Sequence, residues 1–152
     1  MAANINNAYL QAPSSKKHYI ICGGEFGIEH LGKIALIRRA LYGGKSSGDD
    51  FCKRLRSCMT HLGFTSCKSD PDIWKQEAIK DDGSDYWECV LLYVDDALWI
   101  YMNAENVLTD EIGKYLHIKP GSVEYPNIYL GNKFSKVTLD NGVETWSFSS
   151  SR

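Results

Sequence analysis

Apolar positions change period several times along the chain, and each change marks an element. Phe51, Leu55, Cys58, Met59 and Leu62 recur at helical spacing, with Ser47, Asp49 and Asp50 available as cap and first-turn acids; this predicts an α-helix closing near Gly63. Upstream the pattern is shorter. Residues 4–11 and 17–22 predict strands, separated by Ala12-Pro13-Ser14-Ser15 and closed by Gly23-Gly24, and Ile34-Ala35-Leu36-Ile37 adds an apolar run before Gly43-Gly44. Downstream, residues 72–77 and 86–94 predict strands around Asp81-Asp82-Gly83-Ser84-Asp85. That acidic cluster fits a glycine-centred hairpin turn, or a calcium loop, although it lacks the full spacing of an EF-hand loop. Val107, Leu108, Ile112 and Leu116 predict a second helix, capped by Asn103 and stopped before Pro120 and Gly121. Residues 128–137 and 143–148 alternate as strands around Asp140-Asn141-Gly142.

The order is therefore strand, strand, helix, hairpin, helix, hairpin. Helices interleaved with antiparallel hairpins predict an α+β layer, with both helices on one face of an antiparallel sheet, and no repeat or linker divides it. One stretch breaks the apolar rule. Leu91-Leu92-Tyr93-Val94-Asp95-Asp96-Ala97-Leu98-Trp99-Ile100 sets two adjacent carboxylates inside an apolar run. Taking an ionised carboxylate out of water is costly, so the pair points to a bound cation or a solvent-open turn. Val94-Asp95-Asp96-Ala97 fits a tight turn between two strands, which would carry both acids at an exposed tip above a buried sheet.

Composition narrows the class. With 152 residues, 43% hydrophobic and 24% charged, the chain fits one globular domain and neither a disordered nor a fibrous protein. No apolar stretch reaches the roughly 18 residues needed to span a bilayer, and the N-terminus lacks the basic-then-apolar layout of a signal peptide. A cytoplasmic or nuclear protein, neither secreted nor membrane-bound, is expected. The five cysteines include no C-x-x-C pair and no histidine at zinc-finger spacing, which predicts reduced thiols, several of them in the core. A formal charge of -2 gives no general pull toward nucleic acid, although Lys16-Lys17, Arg38-Arg39 and Lys53-Arg54 are local basic pairs.

Several segments carry a resemblance in a fixed order: Asn4-Ile5-Asn6-Asn7-Ala8-Tyr9-Leu10, Arg39-Ala40-Leu41-Tyr42-Gly43-Gly44-Lys45-Ser46, Leu62-Gly63-Phe64, Asp70-Pro71-Asp72-Ile73-Trp74, Tyr93-Val94-Asp95-Asp96 and Tyr129-Leu130-Gly131. Together they resemble the catalytic palm of reverse transcriptases, RNA-directed DNA polymerases, and in particular the copia-type retrotransposon branch. The resemblance implies a palm-like sheet and nucleotidyl transfer with two magnesium (or manganese) ions. One ion activates the primer 3'-hydroxyl and the other neutralises the triphosphate, which requires several hard oxygen ligands close together. It implies metal ligation by Asp95 and Asp96, and a nucleotide pocket from Ala8, Tyr9, Tyr42 and Gly43, with Lys45 near the template. In this reading Tyr9 lies under the incoming sugar, Gly43 permits close backbone approach, and Tyr129, Leu130 and Gly131 form a hairpin at the primer terminus. The implied partners are an RNA or DNA template-primer and deoxynucleoside triphosphates.

The chain departs from that family in two ways. The first metal-ligand position, an aspartate in the family, is Asn4, whose single neutral carbonyl oxygen replaces two charged ones. Loss of one preorganised electrostatic contact predicts a rate lowered by roughly 10²- to 10³-fold. Second, a fingers region would precede Asn4, and thumb and ribonuclease H regions would follow Arg152, so residues 1–152 are expected to be a single partial domain, inactive alone. A non-catalytic remnant or interaction domain that keeps the fold is the alternative, and an unrelated small α+β protein with an acidic turn is a third.

Overall fold

The computed structural model describes residues 1–102 and 104–150. Its centre is a five-stranded antiparallel sheet built from β1 (Ala2–Asn4), β7 (Asp96–Ile100), β6 (Asp85–Tyr93), β5 (Ile73–Ile79) and β4 (Thr65–Ser66), in that spatial order. Two smaller sheets flank it in sequence: β2 (Pro13–Ile21) with β3 (Ile34–Arg39), and β8 (Ile128–Tyr129), β9 (Asn132–Thr138) and β10 (Glu144–Ser150). The architecture is mixed α and β with antiparallel sheets, as the hydrophobic pattern predicts.

Alternation along the central strands decides which face is buried. Trp74, Val90, Leu92, Ala97, Trp99 and Ala3 turn to one side and form a single cluster with Phe51, Leu55, Cys58 and Met59 of helix α1 (Ser47–His61). Val107, Leu108, Ile112 and Leu116 join the same cluster, so both helical segments cover one sheet face. Glu88 is buried on that face because Gln76 Nε2 (3.0 Å) and the Tyr86 hydroxyl both donate to its carboxylate.

Helix α1 follows its predicted span, with Ser46 at the cap position and Ser47 already in the first turn. Asp50 is buried, and its carboxylate accepts from the Ser15 backbone N–H at 3.1 Å; Ser15 and then Ser46 hold its pKa below the usual carboxylate range. At the other end, Gly63 (φ 91°) lets its N–H reach Thr60 O, at 3.1 Å, and the Phe64 N–H reach Met59 O, at 3.0 Å, which closes the helix in a Schellman motif.

The second helical segment is α2 (Ala104–Asn106), continued by a π-turn over Val107–Glu111 and a 3-10 turn over Ile112–Lys114. Thr109 Oγ1 donates back to Glu105 O at 3.0 Å, and this competition with the backbone ladder accompanies the widened turn. The predicted cap Asn103 lies outside the described residues. No helix is long and apolar enough to cross a membrane among the described residues.

Three strand expectations need correction. Residues 4–11 do not form one strand: β1 stops at Asn4, Asn7 turns into the left-handed region (φ 48°) and Ala8–Gln11 is a 3-10 turn. Asparagine tolerates that conformation, and the Gln11 amide fixes the turn by donating to Asn6 O (2.6 Å) and His117 O (3.0 Å). Residues 128–137 divide into β8 and β9, because Leu130 (φ 47°) and Gly131 (φ 77°) form a two-residue turn between Tyr129 and Asn132. The Ala12-Pro13-Ser14-Ser15 segment belongs largely to β2, as a bulge between the pairs Pro13↔Arg39 and His18↔Ile37.

The acidic cluster at residues 81–85 is a hairpin turn: Gly83 has φ 82°, and Asp82 accepts from the Ser84 backbone at 2.9 Å. All five cysteines are free, with Cys22 and Cys58 buried, and burial pushes the Cys58 thiol up to about 11.

Candidate functional site

The Asp95–Asp96 turn is positioned by the sheet rather than by its own sequence. Burying Leu92 opposite Ala97 and Val90 opposite Trp99 sets the β6–β7 register, and that register pairs Tyr93 with Asp96. The turn therefore centres on Val94 and Asp95, one residue earlier than the sequence suggests, and Asp96 already belongs to β7. Both acids are half-buried, while Tyr93 and Val94 are exposed. Val94 has φ 54°, a conformation that a β-branched side chain adopts at a cost of about 1–3 kcal/mol. Val94→Gly should therefore raise stability by about 1 kcal/mol after the extra chain entropy of glycine is counted, a melting-temperature gain of about 2–4 °C. A fall on thermal denaturation would mean that the Val94 side chain contributes more than its strain costs.

Strand β1 brings Asn4 to the acids. Its register places Asn4 opposite Asp96, and the Ile5 N–H donates to Asp95 O at 2.7 Å. The Asn4 amide donates to Asp96 Oδ1 at 3.0 Å and to Asp95 Oδ2 at 3.4 Å. A neutral donor thus sits between two carboxylates.

The outer side of β1 is closed by residues 117–124. Ala2 N–H donates to Glu124 O at 2.7 Å, Lys119 N–H donates to Asn4 O at 2.8 Å, and Ser122 Oγ accepts from the Asn4 N–H at 3.0 Å. This edge is therefore covered rather than open. Ser122 fixes Asn4 from a position 118 residues away, and no local sequence signal could have found it.

The remaining expected site residues fall into two groups. Ala8 is buried in the 3-10 turn that follows Asn4, and the ring of Tyr9 meets that of Tyr42 with centroids 4.6 Å apart. Phe51 of α1 backs Tyr9 at 6.0 Å. The chain thus joins Tyr9 and Tyr42 in one aromatic patch.

Gly43 serves that loop through its backbone conformation (φ 84°), since a Cβ there would meet nothing within 4 Å. Within the chain the crowded position is its neighbour Gly44, where an added Cβ would meet Ser47 Oγ and Leu41 O. Lys45 is exposed and makes no ion pair among the described residues.

The second group is the Tyr129-Leu130-Gly131 turn. Tyr129 is buried, its hydroxyl donates to Leu91 O at 3.4 Å, and burial, with the Asp96 charge behind it, pushes its pKa up to about 12. This turn therefore stands beside the acid pair, although more than thirty residues separate them in sequence.

As a donor set, two carboxylates and an amide oxygen are hard ligands suited to a divalent cation such as magnesium or manganese. Asp95 and Asp96 fit one such ion, while Asn4 adds no charge and presents its N–H side to them. Among the described residues no group of three or more histidine, cysteine, aspartate or glutamate side chains is gathered to hold a metal. Comparison of the chain with protein-family models, curated proteins and solved structures finds no match. The functional reading therefore rests on residues and geometry.

Proposed function

We propose that the chain is the palm region of a copia-type RNA-directed DNA polymerase, with its acids at Asp95 and Asp96 and an impaired third position at Asn4. The observation that carries this reading is the convergence of Asn4, Asp95 and Asp96 through the β1–β7 register and two amide hydrogen bonds. Asp95 and Asp96 would hold a magnesium or manganese ion, which when bound would supply Lewis acidity for lowering a hydroxyl pKa and neutralising phosphate charge.

The chain's own residues bind and orient. The adjoining, mutually tilted Tyr9 and Tyr42 rings offer an apolar surface to the sugar or base of a deoxynucleoside triphosphate, beside the backbone of Ala8 and Gly43. Lys45 adds an exposed charge for a template strand, and the Tyr129-Leu130-Gly131 turn, next to Asp96, suits a primer terminus.

A second reading, a non-catalytic remnant that keeps the fold, is favoured by one feature. The Asn4 amide satisfies both carboxylates without a cation. Calorimetric titration of the full chain with manganese and with magnesium separates the two. Binding that disappears in the Asp95→Asn/Asp96→Asn variant, and that is followed by metal-dependent nucleotide binding, supports the polymerase reading. Absence of both at millimolar metal favours the remnant.

A further inference from the structure

The β2–β3 hairpin stands outside the central sheet, pairs with no other strand and has most of its side chains exposed. Neither strand contains an acidic residue. Lys16, Lys17, Arg38 and Arg39 are all exposed at the root of the hairpin, and none makes an ion pair among the described residues. The bulge concentrates these charges: between the pairs Pro13↔Arg39 and His18↔Ile37, Lys16 and Lys17 are looped out against Arg38.

The bulge is also held in place. Asp50 accepts from the Ser15 N–H at 3.1 Å, and Ser14 Oγ donates to Lys16 O at 2.8 Å. Such a concentration is unexpected in a chain of net charge -2.

Its position suggests what it meets. Strand β2 leaves the turn that carries Ala8 and Tyr9, β3 leads through Ala40 to Tyr42, and the Ala40 N–H donates to Ala12 O at 3.0 Å, so both strands are rooted at the aromatic patch. Tyr19, on β2 itself, and Tyr42, beyond the end of β3, are 60% and 59% exposed, which adds ring surfaces to the same part of the chain. Exposed cations without ion-pair partners, Arg39 being held only by donating Nη1 to Gln11 O at 3.3 Å, on the same hairpin as an exposed ring suit a platform for single-stranded nucleic acid: cations track the phosphates and rings take the bases. An acidic protein surface would use the cations but leave the rings unexplained.

We infer that the root of the β2–β3 hairpin, through Lys16, Lys17, Arg38 and Arg39, binds the phosphate backbone of a single-stranded nucleic acid leading to the Tyr9–Tyr42 patch. This rests on the polymerase reading for its direction and names the strand as the template.

The test is fluorescence anisotropy of the full chain with labelled oligo(dT) and oligo(U) across a salt series. Three or four neutralised phosphates give a slope of log affinity against log salt of about -2 to -3. Lys16→Gln/Lys17→Gln/Arg38→Gln should weaken both oligonucleotides alike and flatten that slope by about 2, with the fold checked by circular dichroism. The charge-matched control Lys68→Gln/Lys80→Gln/Lys114→Gln, at exposed positions elsewhere, should leave it unchanged.

No oligonucleotide binding by the natural chain, or equal losses in the two triple variants, overturns the inference. Oligonucleotide binding that depends on the hairpin in a chain that binds no metal keeps this surface and removes the polymerase reading. Metal and nucleotide binding at the acids without hairpin-dependent oligonucleotide binding does the reverse.

Discussion

Asn4→Asp should make the fold respond to divalent metal. In metal-free buffer the substitution removes the amide hydrogen bonds to Asp96 (3.0 Å) and Asp95 (3.4 Å) and puts a third carboxylate in their place. Hydrogen bonds to charged groups contribute about 1.5–3 kcal/mol, and like charges at contact add repulsion, so a loss of about 2–3 kcal/mol is expected with chelator present. For a chain of this size that lowers the melting temperature by about 5–10 °C. Magnesium or manganese should then restore it, because a ligand that binds only the folded state stabilises by about 2.7 kcal/mol at one hundred times its dissociation constant.

The natural chain, whose acids are already satisfied by a neutral donor, should show a much smaller metal-dependent shift. Placed within an otherwise complete polymerase, the same substitution should raise primer extension roughly 10²- to 10³-fold, the inverse of losing one preorganised electrostatic contact. Identical melting curves with chelator and with metal, together with unchanged extension, would remove the metal-site interpretation of Asn4.

The parts of this site that were legible in the sequence are those whose physics is local. Phe51, Leu55, Cys58 and Met59 announce α1 because one face of a helix must be apolar to join the core, and Gly63 announces its end because the Schellman closure needs a positive φ. Asp82-Gly83 and Asn141-Gly142 announce hairpins for the same conformational reason. Leu130 and Val94 also occupy positive φ, yet neither residue type advertises it, so the apolar pattern runs a strand over residues 128–137 through a turn and sets the acid turn one residue late.

The three-way meeting of Asn4, Asp95 and Asp96 was legible only through resemblance. Nothing local in residues 4–11 says that they stop being a strand after Asn4, or that β1 will pair with β7 while its other edge is closed by Ser122 and Glu124. The contacts that create the site span about ninety to one hundred and twenty positions. They are consequences of the assembled sheet.

The largest stability effect should come from Phe51→Ala. Phe51 is 1% exposed, lies in the second turn of α1, joins the central cluster and backs the Tyr9 ring at 6.0 Å. Truncating a buried phenylalanine costs about 3–5 kcal/mol, through lost transfer energy and an unfilled cavity, against a total stability of about 5–15 kcal/mol for a typical domain. A urea midpoint lowered by a fifth or more is expected; a loss below about 1 kcal/mol would mean that the site collapses around the missing ring or that Phe51 is not in the core.

The two halves of the site should part company in this variant. Tyr9 loses its support, and nucleotide affinity should fall with it. The acid pair depends on the β1–β7 register and the Ser122 contact, neither of which uses the first turns of α1. Metal binding at Asp95 and Asp96, measured at a temperature where the variant stays folded, should therefore survive. A parallel loss of metal and nucleotide binding would mean that α1 holds the sheet end as well as the aromatic patch, and that the two form one cooperative unit.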